Sequence, residues 1–276
     1  MNTSYFPTTL VRPALPSWRL PQPSLEALAG TFSPISLAQM DSVALLDRTD
    51  TKFLLDSTQL LQALSALRSS YWMLSIDGRR LTHYRTLYFD TPDFALYRLH
   101  VNGRLDRYKV RSREYTDSSL SFLEVKHKTN KGRTLKSRLP TSQPLDWLNP
   151  EAEDWLGGVY PYDGRSLEPK LTNTFSRLTL VSKAYCERVT IDVELGFTSA
   201  GKVRRLDGLV IAEVKLDRSG CPSPFLAQMR LQKIHPRGFS KYCIGVSLLY
   251  DGIKKNALKP KLLSVEKMTR GVLFHD

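Results

Sequence analysis

The segment from Arg107 to Arg113 alternates cationic and neutral residues, with Arg107, Lys109, Arg111 and Arg113 set against Tyr108, Val110 and Ser112. Successive side chains of an extended strand point to opposite sides, so these cations share a face. The same sorting over 122–128 groups Glu124, Lys126 and Lys128 opposite Leu123 and Val125. Over 188–194 it groups Arg188, Thr190, Asp192 and Glu194 against Val189, Ile191 and Val193. Over 211–217 Glu213, Lys215 and Asp217 oppose Ala212, Val214 and Leu216, and over 48–54 Arg48, Asp50 and Lys52 fall together. Arg177 lies on the face opposite that of Leu178. Guanidinium groups match phosphate oxygens with two parallel hydrogen bonds, and ammonium groups act as point charges. Carboxylates among them suit a hard divalent ion such as Mg²⁺ or Mn²⁺. Such an ion bridges phosphate oxygens and neutralises charge that develops during transfer.

An antiparallel sheet with one solvated face gives a similar alternation. A solvated face, however, has no reason to stack like charges in register, because they repel. Covering the apolar faces with helices leaves the charged faces turned toward one another, around a closed or nearly closed barrel. Helices are expected at 34–46, with Ser33 as N-cap and Pro34 in first place, and at 57–68, with Ser57 as cap and Leu60, Leu61, Leu64 and Leu67 at helical spacing. Further helical segments are expected within 92–101 and over 222–233 and 240–250. The stretch 140–170, rich in Pro, Gly and Asp, reads as loops with about one helical turn. Residues 1–33, with Pro7, Pro13, Pro16, Pro21 and Pro23, read as a proline-rich irregular leader. Residues 34–253 read as one α+β domain with many antiparallel strands. Residues 254–276 read as a basic tail, with Lys254, Lys255, Lys259 and Lys261 in solvent.

Forty Lys and Arg against 27 Asp and Glu give a net charge of +13. A surplus of that size points to a polyanionic partner. The cations are spread over separate strands facing inward, and no aromatic platform accompanies them, so nucleic acid is not the expected partner. No run approaches the ~18 apolar residues of a membrane span, and the N-terminal residues lack the apolar core of a secretory signal, so a cytoplasmic location is expected. Cys186, Cys221 and Cys243 have neither disulfide-motif nor zinc spacing and read as unpaired thiols. His83, His100, His127 and His235 are scattered and receive no catalytic role. No nucleophile–base pair is evident, which favours direct transfer without a covalent intermediate. Tyr88, Phe89 and Tyr242 read as core packing.

The segments Arg48-Thr-Asp-Thr-Lys52, Tyr88-Phe-Asp-Thr91 with Asp93-Phe94 and Tyr97, Arg111-Ser-Arg113, Phe122-Leu-Glu-Val-Lys126 with Lys128, Lys136 with Arg138, Arg188-Val-Thr-Ile-Asp192, Glu213-Val-Lys215 and Phe239-Ser-Lys-Tyr242 resemble, in order, the VTC domain of the triphosphate tunnel metalloenzyme (CYTH-like) superfamily. The match is to the stand-alone bacterial type. The resemblance implies an eight-stranded antiparallel β-tunnel, a closed barrel with helices packed outside. It also implies a transferase: a polyphosphate polymerase that moves the γ-phosphate of ATP onto inorganic polyphosphate with Mn²⁺ or Mg²⁺. By resemblance Lys52, Arg111, Arg113, Lys126, Lys136, Arg177, Arg188 and Lys241 grip the triphosphate and the polymer. Arg48, Arg98, Arg107, Lys109, Lys128, Arg138 and Lys215 add substrate contacts. Glu213 matches the metal-binding glutamate, with Glu124 and Glu194 as further metal candidates, while Asp192 reads equally as a partner that orients Arg188. The alternatives are a triphosphatase or polyphosphatase on the same fold and a non-catalytic polyanion binder. Many relatives carry a lysine directly before Phe-Ser-Lys; here Gly238 stands in that place, with Arg237 one residue earlier. No membrane partner is identified by these residues.

Overall fold

A computed structural model describes residues 24–41, 48–217 and 221–269. Most of the expected leader, the second half of the helix expected at 34–46, and the end of the tail lie outside the described residues. In chain order the elements are α1 (Leu25–Gly30), β1 (Pro34–Ile35), α2 (Leu37–Asp41), β2 (Arg48–Asp56), α3 (Ser57–Leu67), β3 (Tyr71–Leu74), β4 (Thr82–Asp90), α4 (Ala95–Val101), β5 (Arg107–Tyr115), β6 (Leu120–Lys128), β7 (Thr134–Thr141), α5 (Pro150–Val159), β8 (Glu168–Ser182), β9 (Glu187–Ser199), β10 (Lys202–Arg205), β11 (Leu209–Asp217), α6 (Pro224–Leu231), α7 (Lys241–Leu249) and α8 (Lys259–Met268).

The strands form one 11-stranded sheet whose main path runs β2-β11-β9-β8-β4-β5-β6-β7, with β1, β3 and β10 paired off that path. The expected closed, eight-stranded barrel is therefore corrected on both counts. Among the described residues no ladder joins β7 to β2. The edge strand β7 is largely exposed and carries Lys136, Arg138 and Pro140. Charge and proline at an edge resist further pairing. At the other edge the Arg237 N–H donates to the Lys52 carbonyl at 2.8 Å, so a loop occupies part of the free side of β2.

The facial sorting holds up to the β-bulge at Glu194. Phe53, Leu55, Leu178, Leu180, Val189, Ile191, Val210, Ala212 and Val214 pack outward against α3 and α6 through Leu60, Leu64, Phe225 and Met229. Leu87, Phe89, Val110, Leu123 and Val125 pack outward against α5 through Ala152 and Leu156. The inner face is charged over one half. Over the other half it is apolar, with Leu54, Tyr84, Tyr88, Phe175, Phe197 and Ile211 buried against Tyr242, Ile244, Val246 and Leu249 of α7. The helix α7 thus plugs one end of the curled sheet. It can do so because it is apolar on nearly every side.

Several local expectations change. Pro34 and Ile35 pair with β3 as a short parallel strand, and the helix begins only at Leu37. The cap of α3 is Asp56, whose carboxylate accepts from Gln59 N at 2.8 Å while Gln59 Oε1 accepts from Asp56 N at 3.0 Å. A full helix, α5, stands in the expected loop region, started by Asn149 accepting from Ala152 N at 2.9 Å with Pro150 behind it. In the expected leader, α1 buries Leu28 and Ala29. In the expected tail, α8 buries Leu262 and Val265 beside α7, so this segment is not wholly solvated. No helix among the described residues is long and apolar enough to cross a membrane.

Candidate functional site

Strand register brings the predicted cations together. Lys109 faces Lys126 across β5 and β6, and Lys126 faces Lys136 across β6 and β7. Lys52 faces Glu213, and Lys215 faces Arg188. Arg177 faces Asp192 across β8 and β9.

Three carboxylates organise part of this array. Glu213 accepts from Lys215 at 2.5 Å and pairs with Lys52. Glu124, almost fully buried, accepts from Arg111 at 2.7–2.8 Å and pairs with Lys136. Asp192 takes a two-bond grip from Arg177, at 2.6 and 2.9 Å, and pairs with Lys241. It does not serve Arg188, whose guanidinium reaches the Met40 carbonyl at 2.9 Å. Burial alone would raise these carboxyls, but the surrounding cations win. Arg111, Arg113 and Lys136 hold Glu124 at about 2. Arg177 and Lys241 hold Asp192 far below its ordinary value, as Lys215 and Lys52 do for Glu213.

Other cations have no carboxylate partner among the described residues. Burial, helped by neighbouring cations, pushes Lys109 and Lys126 each down to about 8. Lys109 donates to Ser240 Oγ, at 3.0 Å. Arg113, buried, donates to Thr86 Oγ1 at 3.3 Å. Where the charged half meets the plug, Tyr84 and Phe175 stack with centroids 4.9 Å apart. Arg177 and Lys241 lie over the Phe175 ring at 5.2 and 4.2 Å, and Arg113 lies 5.9 Å from it. Ring faces carry negative potential, so this bench helps hold cations out of bulk water.

A cavity of about 430 Å³ opens in this array, lined by Asp50, Thr51, Lys52, His100, Arg107, Lys109, Lys126, Lys261 and residues 236–240. Inner faces of β2, β5 and β6 share it, which demonstrates the curl of the sheet. Two lining residues escaped the sequence reading. His100 sits among cations, and burial followed by Lys109, Arg107 and Lys261 pushes its imidazole down to about 2. Lys261 was expected in solvent and is instead half-buried. A lone histidine and a lysine-rich tail carry no positional signal, because only tertiary packing delivers them here.

Some predicted residues stand apart. Arg98 is exposed and pairs with Asp93. Arg48 is exposed and donates to Asp50 at 3.1 Å. Arg138 lies on the exposed edge strand, 5.3 Å from the Phe122 ring. Lys128 is half-buried at the end of β6 opposite Arg107. Glu194 is exposed with a left-handed φ of 55° at a β-bulge and accepts from Ser176 at 2.5 Å. The bulge takes it out of the alternation that grouped it with Asp192.

Among the described residues no three His, Cys, Asp or Glu side chains gather into a metal-holding set. Glu124 and Glu213 are each held by two cations, but the Glu124 side chain is 1% exposed against 19% for Glu213. Glu213 is the better placed carboxylate, on the strand next to Lys52 and the cavity. One carboxylate fits an ion that takes its remaining ligands from substrate phosphates and water, which is how Mg²⁺-like ions are commonly held.

The VTC domain profile matches residues 47–250. Among curated proteins none matches. Solved structures resemble the chain weakly. An adenylyl cyclase candidate from Hippeastrum, described as having a dominant triphosphatase activity, is 16% identical over 72% of this chain and 95% of its own, with a TM-score of 0.40. An adenylate cyclase candidate from Bacillus halodurans is 15% identical over 68% of this chain and 87% of its own, with a TM-score of 0.38. The RNA triphosphatase Pct1 of S. pombe is 14% identical over 82% of this chain and 77% of its own, with a TM-score of 0.25.

Proposed function

Because the chain belongs to the VTC domain family, we propose that it is a metal-dependent polyphosphate polymerase with 34–253 as its catalytic core. It transfers the γ-phosphate of ATP to the end of a growing inorganic polyphosphate chain. The observation that carries the reading is an inward-turned face on which cations outnumber carboxylates. There Lys109 and Lys126 stand opposed with no carboxylate partner among the described residues. Like charges held together at this cost fit a site whose missing partner is a polyanion.

Phosphoryl transfer asks the protein for positioning and electrostatic stabilisation more than for covalent chemistry. A terminal oxygen of the chain attacks the γ-phosphorus, and the bond to the β–γ bridging oxygen breaks. Lys52, Arg107, Lys109 and Lys126 would track one phosphate run along the cavity. Arg111 and Arg113, behind them on β5, would bind the equatorial oxygens on which charge is spread. Asp192 fixes Arg177 and Lys241 and offsets the repulsion between them. Glu213 is the side chain that would hold a divalent ion, which would supply charge neutralisation when bound with the nucleotide.

Incubation with ATP and Mn²⁺, followed by gel staining for polyphosphate, tests the reading. Long polymer is expected. Release of orthophosphate with no polymer would sink polymerase activity and leave hydrolysis at the same site.

A further inference from the structure

The loop at 236–240 and the helix α8 meet at the cavity mouth. Gly238 has no left-handed φ, so its backbone does not demand glycine. A Cβ placed there would find the Lys261 ammonium, at 3.8 Å, as its neighbour. The side chain that Gly238 lacks would therefore project toward the space where a lysine from another element already ends.

Lys261 is not placed there by a loose tail. Leu258, Leu262 and Val265 are buried in the core that includes α7, which fixes the helix on both sides of residue 261. Arg237 is bonded to Ser264 of α8, which ties the loop to the same helix. Lys261 is half-buried, lines the cavity with Lys52, Arg107, Lys109 and Lys126, and has no carboxylate partner among the described residues. Its charge is felt inside, since it is among the groups that push the His100 imidazole down. A further cation added to such an array is unfavourable by itself and becomes favourable when an anion spans it.

We propose that Lys261 is a phosphate-chain ligand at the mouth of the cavity, supplied by α8 in place of a side chain at position 238. The helix then belongs to the binding site although it lies beyond the family-matched residues 47–250. This deepens the reading of the cavity as a polyphosphate site and rests on it.

The test uses the full chain and medium-length inorganic polyphosphate, titrated at several salt concentrations. K261M keeps the apolar stem and removes the charge. K267M, on the same helix but lining a different cavity, controls for net charge. K261M is expected to weaken binding about tenfold and to lower the salt slope by about one, as for one lost phosphate contact. K267M is expected to bind like the wild type. The double variant G238K/K261M is expected to recover most of the loss by supplying the ammonium from the loop. Wild-type affinity in K261M, or an equal loss in K267M, would overturn the assignment while leaving the cavity reading intact. Absence of polyphosphate binding by the wild type would overturn both.

Discussion

Lys109, Lys126 and Lys136 form a cross-strand row over three neighbouring strands, and only Lys136 has a carboxylate partner among the described residues. Burial first, and then nearby cations with Arg111 among them in every case, push each of the three down to about 8. A lysine with that value is charged below pH 8 and neutral above it. A bound polyanion favours the charged form, so binding raises these values and takes up protons near pH 8. Affinity for polyphosphate is therefore expected to hold steady below about pH 7 and to fall as pH rises through 8, by at most tenfold per pH unit for each lysine involved. Calorimetric titration in two buffers of different ionisation heat measures the proton uptake directly, and K126M should flatten the profile. A flat wild-type profile from pH 7 to 9 would remove these lysines from the binding step. The row was legible in the sequence as alternation on each strand. Which lysines lacked a partner was not, because that depends on register between strands far apart in the chain.

At the scale of elements, α7 closes one end of the curled sheet and presents Lys241 to Asp192 from its first turn. The close approach is made at Gly245, where a Cβ would fall 2.5 Å from both Leu171 Cδ2 and Phe197 Cδ1. Both neighbours are completely buried, so neither can swing into solvent. Gly245→Ala is expected to destabilise by about 1–3 kcal/mol, the usual cost of overpacking, despite the better helix propensity of alanine. Urea unfolding gives the number, and a variant as stable as the wild type would mean that the plug is loosely seated. The helix itself was legible from its apolar run. Two others were not. In α5 the Pro, Gly and Asp content suggested loop, yet Asn149 and Pro150 are a helix start and Ala152 and Leu156 supply the buried stripe. In α8 the lysines drew attention from Leu258, Leu262 and Val265, whose spacing of four and three is that of a buried helical face. Composition misled in both places where spacing was the better guide.

For the molecule as a whole, the +13 charge and the inward-facing cations belong to one design. The inward charge was readable because each strand carries its own alternation. Closure of the barrel was not, because it turns on whether β7 and β2 pair, and nothing within either strand fixes that. The result is an open-edged sheet that holds like charges close together and gains stability from whatever neutralises them. Ligand that binds only the folded state adds about 2.7 kcal/mol at a hundred times its dissociation constant. For a domain of this size each kcal/mol moves the melting temperature by about 2–4 °C. Saturating polyphosphate is thus expected to raise Tm by roughly 5–10 °C. Sodium chloride at matched ionic strength should do much less, because diffuse screening does not span the cation row as a chain of phosphates does. The contrast matters more than the shift itself. Equal stabilisation by chloride and by polyphosphate would mean that the interior charge is relieved by any counter-ion, and the cations would then be surface repulsion folded inward and not a site.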